Sequence, residues 1–360
     1  MSLWHIRGEG TLSSSMNAAH HDQLKNTHHR PESATLPGHR AKVVALVVVV
    51  VCLVLWASPP TALVAGILFA LLIGHPFVHW NHNVTKWLLQ ICVVLLGFGM
   101  NLPVVLRLGL NGSVFAAATI GATLLLGYWL GRKLALDKKT ATLISVGTAI
   151  CGGSAIAAVS SVIAASEAEI AVSIGTIFLL NAVALYIFPL TGHLLHLSQA
   201  QFGLWAGVAI HDISSVVGAG MSYGPDALAT ATAIKLSRTL WIVPLTLALA
   251  FGIARRKPDG AGVEVSRRNQ HFKIAVPWFI GFFLLASLLR SYVPVISTWS
   301  PQLSEIARRG MILVLFLIGT SLSVRALRSV GWRTVVTGLT LWLFVSIASL
   351  LAILFLKLTK

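Results

Sequence analysis

The chain has 360 residues, of which 56% are hydrophobic and only 11% are charged, and its mean hydropathy is +0.82. This composition excludes an ordinary soluble domain and is typical of an all-α polytopic membrane protein. A β-barrel is excluded because the sequence lacks short segments of alternating polarity. The net charge of +16 would indicate nucleic-acid binding in a soluble protein, but here the cations lie between apolar runs, so no nucleic-acid partner is predicted.

Residues 1–42 are polar, contain six histidines and lack the apolar core of a signal peptide. We therefore expect a disordered cytoplasmic tail at 1–42 and a transmembrane transporter domain in the bilayer at 43–360. The sequence contains no metal signature, phosphate loop or nucleophile elbow. It thus predicts no metal, no cofactor, no catalytic residues and no enzyme activity.

Eleven apolar runs follow the tail, and each is read as a transmembrane helix. Counting Lys and Arg with the N-terminus inside gives 19 on the cytoplasmic side and 6 on the outer side, which predicts an N-in, C-out topology. The spans are predicted at 43–57, 61–74, 86–101, 112–131, 141–165, 168–191, 202–220, 226–254, 272–293, 306–324 and 333–356.

Eleven spans divide into one helix plus two five-helix repeats of inverted topology, an arrangement common in secondary transporters. Val146-Gly147-Thr148 in span five resembles Ile318-Gly319-Thr320 in span ten, so we expect these two spans to be broken and to cross near the midplane. Thr320 is accordingly counted among the substrate-binding candidates.

Span five contains the sequence Cys151-Gly152-Gly153-Ser154. Adjacent glycines weaken a helix, and Ser154 can begin a new half-helix. The first N–H groups of such a half-helix lie at its positive dipole end and bind anions. All four residues are therefore substrate-binding candidates. The alternative is that the small residues only allow close helix packing.

Span seven contains His211, Asp212, Ser214 and Ser215 after nine apolar or small residues. An acid within the membrane is a functional candidate by default, and histidine titrates near neutral pH. We predict that His211 or Asp212 couples H⁺ or Na⁺, and that the two serines contribute to substrate binding. The alternative is a structural ion pair between Asp212 and a cation of span eight.

Span eight carries Lys235 and Arg238 deep in an apolar run of 28 residues from Ala227 to Ala254. Placing each cation near mid-membrane costs at least ~2.5–3.5 kcal/mol. Their i, i+3 spacing puts both on one side of the helix, which predicts an anion site. The alternatives are a structural pair bonded to carbonyl groups, or Lys235 bound to Asp212.

Three segments together resemble the YeiH-like family of bacterial inner-membrane proteins, which is named for sulfate export. They are Thr148–Val159, His211–Gly220 and Ile234–Arg238, and with the Gly319 segment the resemblance extends over about residues 43–356. It implies a multi-pass protein of the bacterial inner membrane that exports sulfate or a sulfonate. It also implies kinship with transporters built like bile-acid symporters, which contain two crossing broken helices.

Together these observations predict an ion-coupled secondary transporter of a small inorganic or organic anion, and the resemblance implies that it is an exporter. A homodimer is compatible with the sequence. Two alternatives stay open: a cation/proton antiporter that uses Asp212, and a membrane protein without transport activity.

Overall fold

The structure is a computed structural model that describes residues 57–72, 78–254, 278–321 and 330–356, together with Val47 and Val50. The predicted tail at 1–42 and nearly all of the first predicted span lie outside the described residues. Every regular element in the described part of the chain is a helix. This agrees with the all-α prediction.

The ten predicted spans from 61–74 onward each coincide with one helix or with two consecutive helices. The helices are α1 (Pro59–Leu72), α2 (Val78–Gly97), α3 (Leu102–Lys133), α4 (Lys138–Ala149), α5 (Gly153–Val162), α6 (Glu167–Leu194), α7 (Gln199–Ala209), α8 (Ile213–Tyr223), α9 (Pro225–Leu240), α10 (Ile242–Ala254), α11 (Trp278–Tyr292), α12 (Pro294–Ser321) and α13 (Trp332–Leu356).

Three stretches of described helix are long and apolar enough to cross a membrane alone: Glu167–Leu194, Pro225–Gly252 and Trp332–Phe355. A fourth candidate is a pair of helices, Asn83–Gly97 and Leu102–Leu110, that bends by 112°. Spans five and seven each consist of two half-helices of 10 to 12 residues, and each half-helix is too short to cross alone.

The structure confirms one predicted interruption and adds another. Span five is interrupted between Ala149 and Gly153, as expected. In span ten, helix α12 runs through Gly319 and Thr320 to Ser321, and residues 322–324, which match the interruption of span five, lie outside the described residues, so the break of span ten stays a prediction. An interruption that was not predicted lies in span seven, between Ala209 and Ile213.

A packing contact explains why Gly319 lies within a continuous helix. It faces α1, and a Cβ on Gly319 would overlap the carbonyl oxygen of Leu63. Gly66 of α1 lies opposite Gly319, and a Cβ on Gly66 would overlap the carbonyl oxygen of Phe316. The glycine pair thus serves close helix approach. Spans five and seven are not equivalent positions of two five-helix repeats, so the interruptions give no support to the predicted repeat.

Candidate functional site

The interruption of span five depends on the backbone of Gly152. Helix α4 ends at Ala149, and Gly152 has φ +67° and ψ −125°, a conformation that residues with a Cβ rarely adopt. Helix α5 starts at Gly153 without a side-chain cap. Its first N–H groups therefore have no side-chain acceptor on the residue that precedes the helix.

The interruption of span seven is held by side chains. The Asp212 carboxylate accepts the backbone N–H of Ser214 at 3.0 Å and also the Ser214 hydroxyl, so it caps α8. From α6, Asn181 Oδ1 accepts the N–H groups of His211 at 3.1 Å and of Asp212 at 3.3 Å. These bonds satisfy backbone donors that the break in the helix leaves without helical partners.

The two interruptions lie against each other. A Cβ on Gly152 would be 3.6 Å from both the carbonyl carbon and the carbonyl oxygen of His211. These distances are ordinary van der Waals contacts, so the two unwound segments lie directly against each other. We call this meeting point of residues 149–154 and 209–214 the crossing.

Lys235 joins the C-terminal ends of α4 and α7, the first half-helices of spans five and seven, at the crossing. Its Nζ donates to the carbonyl oxygens of Ile150 at 3.0 Å and of Ile210 at 2.5 Å. These residues follow directly after α4 and α7, where unpaired carbonyls form the negative end of a helix dipole. An ammonium group in this position neutralises both dipole ends at once.

Arg238 binds one turn further along α9. Its guanidinium donates to the Ala149 carbonyl oxygen, and it donates to the Thr119 hydroxyl of α3 at 2.7 Å. Both Arg238 and Lys235 are 0% exposed. Of the alternatives for this pair, bonding to carbonyl groups is therefore what the structure contains.

The alternative of a direct ion pair with Asp212 is not found among the described residues. No carboxylate oxygen there lies within 4 Å of the Lys235 or Arg238 nitrogen atoms; Arg309 with Glu305 is the ion pair found. Hydrogen bonds to backbone carbonyl groups stabilise the two buried positive charges. The crossing therefore keeps a net positive charge wherever both groups are protonated.

Several buried polar atoms near these residues have no hydrogen-bond partner. Both ring nitrogens of His211 belong to this group, and His211 is 1% exposed. Buried polar atoms are nearly always hydrogen-bonded, so orphan atoms indicate a place for water or a ligand. The others in this region are Thr148 Oγ1, Asn181 Nδ2 and Arg238 Nε.

Asp137 fixes the start of the interrupted span outside the membrane. Its carboxylate accepts the backbone N–H of Thr140 at 3.0 Å and of Lys139 at 2.9 Å, and so caps α4. The hydrogen bond from Thr140 lowers the pKa of Asp137 below its usual 3.8, with a further contribution from Lys139.

Comparison with known proteins places the chain in a family. A family model described as "Conserved hypothetical protein 698" matches residues 42–338. A UPF0324 membrane protein of Bacteroides thetaiotaomicron is 46% identical over 305 residues, which cover 83% of this chain and 87% of that protein.

The chain belongs to this family, the UPF0324 membrane proteins.

Other UPF0324 relatives are also similar to this chain over most of its length. The protein of Porphyromonas gingivalis is 48% identical over 304 residues, covering 83% of this chain and 88% of its own length. The protein of Shewanella oneidensis is 39% identical over 317 residues, which cover 87% of this chain and 95% of that protein. The YeiH-like resemblance is thereby confirmed, and the chain is a membrane protein. No solved structure matches it significantly.

Within this UPF0324 chain, the predicted residues of spans five, seven and eight come together at the crossing. Cys151 is buried, and its Sγ lies 3.0 Å from Ser154 Oγ. Gly153 is half-buried at the first position of α5 and Ser154 after it is exposed, whereas Ser215 is buried in the first turn of α8.

Thr320 differs from the other candidates. Its hydroxyl donates to the Leu317 carbonyl oxygen at 2.7 Å within α12, next to the glycine contact with α1. It was selected because a break was expected beside it. Residues 322–324, where that break would lie, are outside the described residues, so the assignment of Thr320 to substrate binding stays a prediction.

Two residues next to the crossing were not selected as site candidates from the sequence. Thr119 of α3 accepts a hydrogen bond from Arg238. Asn181 joins α6 to the break in span seven. A signal for both was a polar group in an otherwise apolar helix.

Proposed function

We propose that the chain is a secondary transporter that exports a small anion, such as sulfate or a sulfonate, across the bacterial inner membrane. The observation that carries the proposal is the pair of fully buried cations at the crossing, with no carboxylate within 4 Å in the described parts of the chain. Burying two positive charges is costly, and an arrangement without a counter-ion favours a site that an anion visits.

The donors at the crossing support anion binding. Lys235 uses two of its three N–H donors for carbonyl groups. Arg238 Nε is buried without a partner, and α5 begins without a side-chain cap. In the proposed mechanism, an arriving anion takes these donors and competes with the carbonyl oxygens for Lys235. This competition would weaken the hydrogen bonds by which Lys235 joins α4 and α7, so substrate binding would change how the two half-helices are held together.

His211 and Asp212 are the proposed coupling residues, with H⁺ or Na⁺ as the coupling ion. The unpartnered His211 ring nitrogens can accept and donate a proton within the crossing. Asp212 lies at the start of α8, where protonation would weaken the cap on Ser214. Each residue thus offers a way for a proton to alter the interruption of span seven.

The remaining parts of the proposal follow the sequence. They are eleven spans with the N-terminus inside, the inverted repeat, a lipid bilayer as surroundings, an optional homodimer, no enzyme activity and no nucleic-acid partner.

The test measures uptake of radiolabelled sulfate and of ethanesulfonate into proteoliposomes under a pH gradient. We expect Lys235→Ala to lower the flux roughly ten- to a hundredfold, because a charged hydrogen bond contributes about 1.5–3 kcal/mol. Lys133→Ala is the matched control, since Lys133 is exposed at the end of α3. Flux in Lys235→Ala equal to that of the control would contradict the proposal, provided the variant elutes as a folded protein.

A second candidate function is cation/proton antiport through Asp212. It is favoured by the fact that this carboxylate has no cationic side chain within 4 Å among the described residues. Stabilisation against heat by Na⁺, with none by sulfate or sulfonates, would select this alternative. Asp212→Asn would then remove the stabilisation.

A further inference from the structure

A second basic region lies away from the crossing, around a cavity of about 300 Å³ between the start of α1, the α8–α9 turn and α12. The turn at Pro59, the segment Gly224–Pro225 and Arg308 all line it. In the predicted topology, all three segments are on the outer side. Three segments distant in sequence thus form one cavity that opens on one side of the membrane.

The charged part of the cavity comes from a single face of α12. Glu305, Arg308 and Arg309 follow the i, i+3, i+4 spacing of one helix side. Arg309 Nε donates to Glu305 at 2.8 Å. Arg308 makes no hydrogen bond or ion pair with any described residue, and its Nε is buried. A guanidinium with open donors in a cavity is a ready partner for an anion.

The floor of the cavity is apolar. It includes the side chains of Leu228 and Ile312, each 5% exposed, and the buried Pro59. A bare inorganic anion would gain nothing from such a floor, whereas an alkyl group would be removed from water there. The volume is at the lower limit of ligand pockets, which suits a small organic molecule.

The cavity also lies in line with the crossing. Leu228 and Lys235 are seven residues apart on α9, which is two helical turns or ~10.5 Å along one face. The intervening Ala231 and Thr232 are buried, so the helix between them is closed to solvent. A molecule in the cavity would therefore be separated from the central cations by about two turns of packed helix.

We propose that this cavity is an outer vestibule that binds a small organic anion, with a sulfonate or carboxylate group on Arg308 and a short alkyl group on the Leu228–Ile312 floor. That the bound anion is in transit rests on the proposed function. The binding site itself does not, because it depends only on Arg308 and the apolar floor. The vestibule narrows the substrate class from sulfate to organic anions.

The experiment measures binding of sulfate, methanesulfonate, ethanesulfonate and butanesulfonate to the full chain in nanodiscs of phosphatidylcholine, by titration calorimetry. We expect affinity to rise with alkyl length, by up to about fourfold per methylene, and sulfate to bind least tightly. Arg308→Gln should weaken butanesulfonate binding at least tenfold. Arg107→Gln, which removes an exposed cation of α3 that does not line the cavity, should stay within twofold.

Arg308→Lys keeps the charge but loses the planar donor fork, so we expect an intermediate affinity. Equal weakening in Arg308→Gln and Arg107→Gln, or sulfate binding as tight as butanesulfonate binding, would overturn the vestibule. Nanodiscs with phosphatidylglycerol test a lipid headgroup as the source of the anionic group. If phosphatidylglycerol competes with butanesulfonate, and Arg308→Gln abolishes this competition, the cavity binds a lipid headgroup and the proposal is overturned.

Lys235→Met separates the vestibule from the transport function. We expect this variant to lose flux and to keep butanesulfonate binding. If the wild type shows no flux but binds butanesulfonate in a way that depends on Arg308, the proposed transport function is wrong and the vestibule stands. If flux is normal and depends on Lys235 but butanesulfonate binding does not depend on Arg308, the vestibule is wrong and the proposed transport function stands.

Discussion

At the interruption of span seven, the new helix is capped by the Asp212 carboxylate, whereas at the interruption of span five the new helix begins without a side-chain cap. Span seven breaks at polar side chains that replace the lost backbone bonds. Span five breaks at a glycine whose backbone conformation other residues rarely adopt. One interruption is thus capped by the protein's own carboxylate, and at the other the positive end of the helix dipole has no side-chain cap.

This difference also explains why Lys235 is placed between the two spans. Both first half-helices end in unpaired carbonyl groups, and the ammonium group bonds to each. Only the starts of the second half-helices differ. The anion of the proposed function would therefore meet an uncapped helix start at α5 and an acid at α8.

The largest expected effect on stability concerns the backbone of span five. Gly152→Ala should destabilise the protein by about 2–3 kcal/mol, because φ +67° is strained for alanine. Its Cβ would also lie 3.2 Å from Ile177 Cγ2. The measurement is thermal unfolding of the purified protein in detergent.

Gly153→Ala is the matched control for that experiment. The added Cβ would contact only the Phe178 ring, at 3.7 and 3.8 Å, which is ordinary packing. We expect its unfolding temperature to match the wild type. If both alanine variants behaved alike, the special conformation of Gly152 would not be what shapes the interruption.

An intermediate effect is expected at the cap of span seven. Asp212→Ala removes the acceptor for the Ser214 N–H and should cost about 0.5–2 kcal/mol of stability. Asp212→Asn keeps an acceptor oxygen and should lose much less. Thermal unfolding of the pair measures the cap, and equal losses in both variants would show that the charge, not the cap, stabilises α8.

The smallest effect is expected at Asp137, which caps α4 outside the membrane. The pKa of its carboxyl is lowered in the folded protein by the Thr140 and Lys139 N–H groups, so its contribution is present above the unfolded pKa near 3.8. The contribution disappears as pH falls through the lower folded value. Asp137→Ala should cost about 1 kcal/mol or less at neutral pH.

Unfolding of Asp137→Ala and Asp137→Asn across a pH series provides the measurement. The difference between the wild type and Asp137→Asn should shrink as the pH drops below 3.8. A difference that grew on acidification would contradict the direction of the pKa shift.

The sequence predicted the helices well because apolar length alone marks a membrane helix. It also predicted the break at Gly152, since paired glycines leave a local signal. The break expected in span ten would follow Ser321, outside the described residues, and the close contact of Gly319 with α1 could not be predicted from the sequence. The interruption at the His211–Asp212 pair was missed, because the polarity of this pair was interpreted as chemistry and not as a cap.

The partners of the two cations could not be predicted from the sequence. Lys235 and Arg238 were correctly identified as buried, yet their acceptors are mostly backbone carbonyl groups, which every residue possesses. Such contacts depend on where helices end and how they cross. The same holds for Thr119, whose role appears only when α3 packs against α9.

Anomalous diffraction from crystals of the full chain soaked in selenate tests the central claim most directly, since selenium marks the position of a bound sulfate analogue. The account predicts a selenium peak at the crossing, within hydrogen-bond distance of Lys235 Nζ and the first N–H groups of α5. Lys235 bonded to both the Ile150 and Ile210 carbonyl oxygens, with no peak at the crossing at saturating selenate, would contradict it.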